Sequence, residues 1–216
     1  MLIDDIQFSN ALSRALAEAN SHCLRHLKSV QLPIRTRSTP QFTLVLDLDE
    51  TLVHSEKSPV DQADCVVRLR DNSLVYVKYR PGLLEFLEKS SLLFELVVFT
   101  ASEQHYADSI LDAIDPHRKF IKHRLYRDSC IMVSGGAIKD IRVLGRDLTK
   151  VVIVDNCFLA FAFNVDNGIP IASWFNDDKD VELAGLLNLL MLIKDLKDVR
   201  PCLNSLFNMG KLLSFN

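Results

Sequence analysis

The sequence predicts one α/β domain built on a parallel sheet, with a small insertion. Three features lead there. Apolar runs at 42–46, 94–99 and 150–154 read as buried strands. The first and third run straight into an acid, Asp47 and Asp155. A stretch at 180–196 carries apolar residues at helical spacing, and 103–114 reads as a helix stopped before Pro116.

Composition sets the outer bounds. The chain has 216 residues, 48% apolar and 25% charged, enough for one sizeable core. A net charge of -3 gives no global basic footprint, so direct nucleic-acid binding is not expected. The five cysteines, at 23, 65, 130, 157 and 202, form no Cys-x-x-Cys pair and read as reduced thiols of an intracellular protein. No apolar run approaches the roughly 20 residues of a membrane span, and no secretory pattern opens the chain.

Residues 1–40 read as an N-terminal helix and linker, and 41–216 as the α/β domain. In 1–30, Leu12, Leu16, Ala19, Cys23 and Leu27 make an apolar stripe. This helix either packs on the domain or is a partner- or self-association element. His22 and His26 stand at i, i+4, without an acidic ligand beside them. The linker, 33–40, exposes Arg35 and Arg37.

The first strand breaks into Asp47-Leu48-Asp49-Glu50-Thr51. Side chains alternate along an extended chain, so Asp47 and Asp49 can face one space. Carboxylates crowded at a strand end call for a cation, and magnesium, with oxygen ligands and retained waters, is the natural one. Residues 53–59 then leave the sheet. Segments 65–69 and 74–78 around Asp71-Asn72-Ser73 read as a hairpin overhanging the site. Pro81 can open a helix that buries Leu83, Leu84, Phe86 and Leu87.

The second strand ends in Thr100-Ala101-Ser102, where a hydroxyl and free helix N–H groups suit a phosphate. Residues 117–139 read as an irregular basic insert with short strands at 124–128 and 130–133. It is a candidate to hold an anionic substrate, with Arg127 as a cleft residue. Lys139 is a cation just before a helix start. The third strand repeats the first, an apolar run and then Asp155-Asn156. A short strand at 169–173, the 180–196 helix and a terminal helix at 199–207 follow.

Asp47-Leu48-Asp49-Glu50-Thr51, Phe99-Thr100-Ala101-Ser102, Lys139-Asp140 and Val154-Asp155-Asn156 occur in the order of one family. With Arg80-Pro81-Gly82 and Ala172-Ser173-Trp174-Phe175, they give a chain that resembles the small RNA polymerase II C-terminal-domain phosphatases of the haloacid-dehalogenase superfamily, over about 42–200. The resemblance implies a doubly wound parallel sheet, with a short β-hairpin insert after the first motif and a small β insert between the second and third. It implies a magnesium-dependent phosphoserine/phosphothreonine protein phosphatase. Asp47 would be nucleophile and Asp49 general acid and base; Asp47, Asp49 (through its backbone carbonyl) and Asp155 would hold magnesium; Thr100, Lys139 and Asn156 would bind phosphate. It implies a phosphoprotein substrate, such as the polymerase tail, and a nuclear location.

The chain departs from that family in places. Relatives follow Asp-Asn with Ser-Pro, where Cys157-Phe158 stands here. They place an aromatic and an apolar residue, for a substrate proline, where Glu56-Lys57 and Glu103 stand here. The alternatives are a catalytically inactive phosphatase-like binding module and a small-molecule phosphatase. The complete acid, hydroxyl and lysine set speaks against the first, and the lack of room for a large cap against the second.

Overall fold

A computed structural model describes residues 13–20 and 31–208. Its centre is a five-stranded sheet of β1 (Phe42–Leu46), β5 (Phe94–Phe99), β6 (Ile121–Leu125), β9 (Val151–Asp155) and β10 (Gly168–Pro170). The order is β10-β9-β1-β5-β6, and every pairing is parallel. The chain builds outward from β1 through β5 to β6, then returns to the other side of β1 for β9 and β10. That reversal makes β1 the switch point, where open parallel sheets place ligands beyond the carboxyl ends of their strands.

Both faces of β1 are buried, so its sequence is a continuous apolar run rather than an alternation. Leu44 and Leu46 join the core cluster shared with Leu96, Val98, Val152 and Val154. Val45 points the other way, into a cluster with Val97, Phe99, Ile153, Ile141 and Phe161. Four helices supply much of the first cluster: α1 (Leu83–Ser91), α2 (Gln104–Ile114), α3 (Glu182–Ile193) and α4 (Arg200–Phe207).

The insert after β1 is larger than a hairpin. β2 (Val53–Glu56) pairs antiparallel with β4 (Leu74–Tyr79), which also pairs with β3 (Cys65–Arg68). Residues 53–56 leave the central sheet and turn back as the third strand of the insert. The second insert is smaller than expected, because its first part belongs to the main sheet. β6 is a parallel neighbour of β5, Arg127–Ser129 is a 3-10 turn, and only β7 (Ile131–Val133) and β8 (Gly136–Ile138) form the local ribbon.

Smaller differences follow from spacing. Leu83, Phe86, Leu87 and Ser90 form the buried stripe of α1, and Leu84, one position off it, is 51% exposed. Gly82 rather than Pro81 caps that helix, at φ 78, a conformation glycine adopts without a Cβ clash. In the linker Arg37 is exposed, but Arg35 is half-buried, its guanidinium on Thr43 and Glu95. Residues 13–20 are helical, with Ala15 and Ala19 buried and Glu18 accepting the Ser134 N–H at 2.9 Å. Leu12, His22, Cys23, His26 and Leu27 lie outside the described residues. No helix of the described residues is long and apolar enough to cross a membrane.

Candidate active site

Parallel pairing brings the ends of three strands together. The Asp47 N–H donates to the Val154 carbonyl at 3.0 Å, extending the β1–β9 ladder to the first acid. The Thr100 N–H donates to the Leu125 carbonyl at 3.0 Å and does the same for β5. Asp155 closes β9. Asp47, Asp49, Thr100, Lys139, Asp155 and Asn156 all line one open cleft of about 540 Å³.

Lys139 sits between the two strand-end acids. Its ammonium pairs with Asp47 Oδ1 and, at 2.6 Å, with Asp155 Oδ2. All three groups are buried. Burial alone would lower the lysine pKa; Asp47 and Asp155 outweigh it and raise it well above the ordinary value. Burial, reinforced by the Asp47 charge, pushes Asp155 up to about 7, against the pull of Lys139. The free oxygens of the pair are also held. Thr51 Oγ1 donates to Asp47 Oδ2 at 3.1 Å, and the Cys157 N–H donates to Asp155 Oδ1 at 2.8 Å. At position 157 the contact is made by backbone.

Asp49 lies across the cleft, in a nest of hydroxyls. Ser102 Oγ donates to Oδ2 and Tyr106 Oη to Oδ1, each at 2.7 Å, with Thr100 Oγ1 at 3.4 Å from Oδ2. Burial raises its pKa, and the Ser102 and Tyr106 hydrogen bonds pull it partly back. The turn between the two acids and β2 is tight: Glu50 has φ 56, and its carbonyl accepts the Trp174 N–H at 2.8 Å. A non-glycine residue in that region costs on the order of 1–3 kcal/mol and persists where its surroundings enforce it.

The remaining named residues divide. Asn156 reaches the cleft but donates through Nδ2 to Ser173 Oγ at 2.9 Å. Arg127 stands exposed on the rim, its Nε on the Ala101 carbonyl at 2.7 Å. The rest of the basic stretch does not face the cleft. Arg124 pairs with Asp108 and Asp112 and His123 with Glu95. Lys119, Lys122 and His123 line a separate hollow of about 940 Å³ at the amino ends of β5 and β6. Sequence reasoning had missed Tyr106 and Ser55. The available signal for Tyr106 was its place in the first turn of the helix that follows Thr100-Ala101-Ser102.

The donor set fits a hard divalent cation. Asp47, Asp49 and Asp155 face one lysine, so the cleft carries excess negative charge on oxygen. Among the described residues no three His, Cys, Asp or Glu side chains converge as a ready shell. A cation here would draw on Asp47, Asp155, a backbone carbonyl and water.

A parallel sheet with its switch point at β1, bearing inserts after β1 and before β9, defines a haloacid-dehalogenase-like fold. The sequence model of the NLI interacting factor-like phosphatases matches residues 42–200, and the chain belongs to that family. It is 48% identical over 188 residues to CTD small phosphatase-like protein 2 of Dictyostelium discoideum, covering 86% of this chain and 33% of that protein. It is 45% identical to CTD small phosphatase-like protein 3 of Caenorhabditis elegans, covering 85% and 66%. The carboxy-terminal domain RNA polymerase II polypeptide A small phosphatase 1 of Homo sapiens is 40% identical, with 76% and 64% covered. The chain thus spans from a third to about two thirds of these relatives. Among solved structures, the fission yeast RNA polymerase II CTD phosphatase Fcp1 bound to beryllium fluoride superposes with a TM-score of 0.51 at 23% identity, over 80% of this chain and 57% of that one. At that identity the likeness is one of fold.

Proposed function

We propose that the chain is a magnesium-dependent protein phosphatase for phosphoserine and phosphothreonine, working through an aspartyl-phosphate. Its substrate on this reading is the RNA polymerase II C-terminal domain or another phosphoprotein, and its place the nucleus. The observation that carries the reading is the pairing of Asp47 and Asp155 through Lys139, opposite a hydroxyl-held Asp49, in one cleft. Family membership and the relatives' names support it.

A carboxylate oxygen of Asp47 attacks phosphorus, and the bond from phosphorus to the serine oxygen breaks. The electron pair stays on that oxygen, and Asp49 gives it a proton, so the alcohol leaves neutral. Water then attacks the phosphoryl group; Asp49 takes its proton back, and the bond to Asp47 breaks to release inorganic phosphate. Lys139, Thr100 and Asn156 hold the phosphoryl oxygens as charge builds on them. Magnesium, held by Asp47, Asp155 and the Asp49 carbonyl, would supply the charge that lets a phosphate approach three acids. The open cleft, with Arg127 on its rim, leaves room for a peptide.

The test is hydrolysis of a phosphoserine peptide and an aryl phosphate, with magnesium, with chelator and with Asp47→Asn. Magnesium-dependent turnover that Asp47→Asn abolishes is expected. Acid-quenched enzyme should carry a hydroxylamine-labile phosphate. Folded protein that turns over neither substrate would overturn the reading.

A further inference from the structure

Ser102 and Thr100 reach Asp49 from the loop that follows β5, while Tyr106 reaches it from α2. Tyr106 is in turn hydrogen-bonded to Ser55 Oγ on β2. A tyrosine hydroxyl has one proton, and that proton is committed to Asp49, so Ser55 donates to Tyr106. The relay runs from Ser55 to Tyr106 to Asp49, and it ties the insert sheet to the centre of the cleft. An aspartate side chain turns about two bonds. A donor on Oδ2 alone leaves its carboxyl plane free to rotate; a second donor on Oδ1 fixes it.

We propose that Tyr106, held by Ser55, is a positioning residue that fixes the Asp49 carboxyl toward the leaving oxygen, and so suits the cleft to esters of weakly acidic aliphatic alcohols. This rests on the reading of Asp49 as proton donor. When the phosphorus–oxygen bond breaks, the leaving oxygen keeps the electron pair and receives the Asp49 proton. The carboxylate so formed stays in the grip of Ser102 and Tyr106, which donate to the charge it gains. A nitrophenolate departs without a proton. An aliphatic alkoxide does not, so placement of the acid matters most for serine and threonine phosphates.

The test uses substrates of nearly equal size: phenyl, 4-chlorophenyl and 4-nitrophenyl phosphate. The value of kcat/KM reports the reaction through cleavage of the ester bond. Ratios between substrates in one preparation do not depend on the fraction of active protein. Tyr106→Phe keeps the ring and should lose about tenfold or more on phenyl phosphate, while 4-nitrophenyl phosphate stays within about threefold. Ser55→Ala should tilt the ratio the same way by less, and Asp49→Asn by more. A parallel loss on all three substrates in Tyr106→Phe, or an unchanged ratio, overturns the proposal and leaves the phosphatase reading standing. An unchanged ratio in Asp49→Asn, or no turnover by the wild type, overturns the proposal together with the reading beneath it.

Discussion

Arg80 grips Asp180, 100 positions along the chain, with one full edge of its guanidinium: Nε donates to Oδ1 and Nη2 to Oδ2, both at 2.8 Å. Its Nη1 donates to the Thr51 carbonyl at 3.1 Å, and Thr51 is the residue whose hydroxyl holds Asp47. The pair therefore fastens the turn after the first motif to the approach to α3. The Arg80 side chain is 0% exposed.

Replacing Arg80 by lysine keeps the charge and loses the fork. Arg80 is buried and Asp180 half-buried, so loss of the fork costs on the order of 1–3 kcal/mol. Arg80→Lys should unfold at clearly lower denaturant, and Asp180→Asn should follow it. A midpoint equal to the wild type's in urea titrations would refute the structural role.

Lys139→Met should leave Asp47 and Asp155 buried without a cation. The variant is expected to melt lower than the wild type in chelator and to lose turnover. Magnesium should raise its melting temperature more than the wild type's, because a cation bound only by the folded state adds stability by mass action. Thermal melts with and without magnesium read this directly, and equal shifts in the two proteins would count against two acids sharing one cation site.

Glu95 is buried in β5. Burial alone would raise its pKa, but hydrogen bonds from Arg146, His123 and Thr43 outweigh that and hold the carboxyl well below the ordinary value of 4.5. Protonation therefore favours the unfolded chain. Stability from this cluster is fully present above the ordinary value and drains away as pH falls through the folded one. Glu95→Gln should be less stable near neutrality and show a flatter acid limb, measured by denaturant midpoints across the acid range. An acid limb as steep as the wild type's would remove Glu95 as its source.

A Cβ on Gly168 would lie 2.4 Å from Phe161 Cδ2 and 2.6 Å from Cε2, inside a buried cluster. Gly168→Ala should cost about 1–3 kcal/mol by overpacking. Gly168 pairs with Ile153, two residues before Asp155, so turnover should fall as well. Unchanged stability in a denaturant titration would show that Phe161 has room to move.

Much of the site is legible because its cues are local. An apolar run followed by an acid marks Asp47 and Asp155, and a strand followed by a hydroxyl marks Thr100. β6 is legible only at its end, where the short strand read at 124–128 overlaps it, because Lys122, His123 and Arg124 occupy its middle and give 117–139 an irregular, basic look. At the sheet edge, Glu95 pairs with His123 and Asp108 and Asp112 pair with Arg124, and these partners let a cationic segment become a strand. β2 is hidden too, since four residues of mixed polarity carry no period until β4 lies beside them.

By itself the sequence determined the core strands β1, β5 and β9, the acids that follow β1 and end β9, and the family, because hydrophobic runs and motif spacing are written along the chain. Only the tertiary structure decided which groups meet. Lys139 is 92 positions from Asp47, and Tyr106 is 57 from Asp49. Their meeting depends on placing β1 between β5 and β9, and that of Ser55 with Tyr106 on folding β2 back against β4. Strand order and helix docking arise from long-range burial, which no short window of sequence encodes.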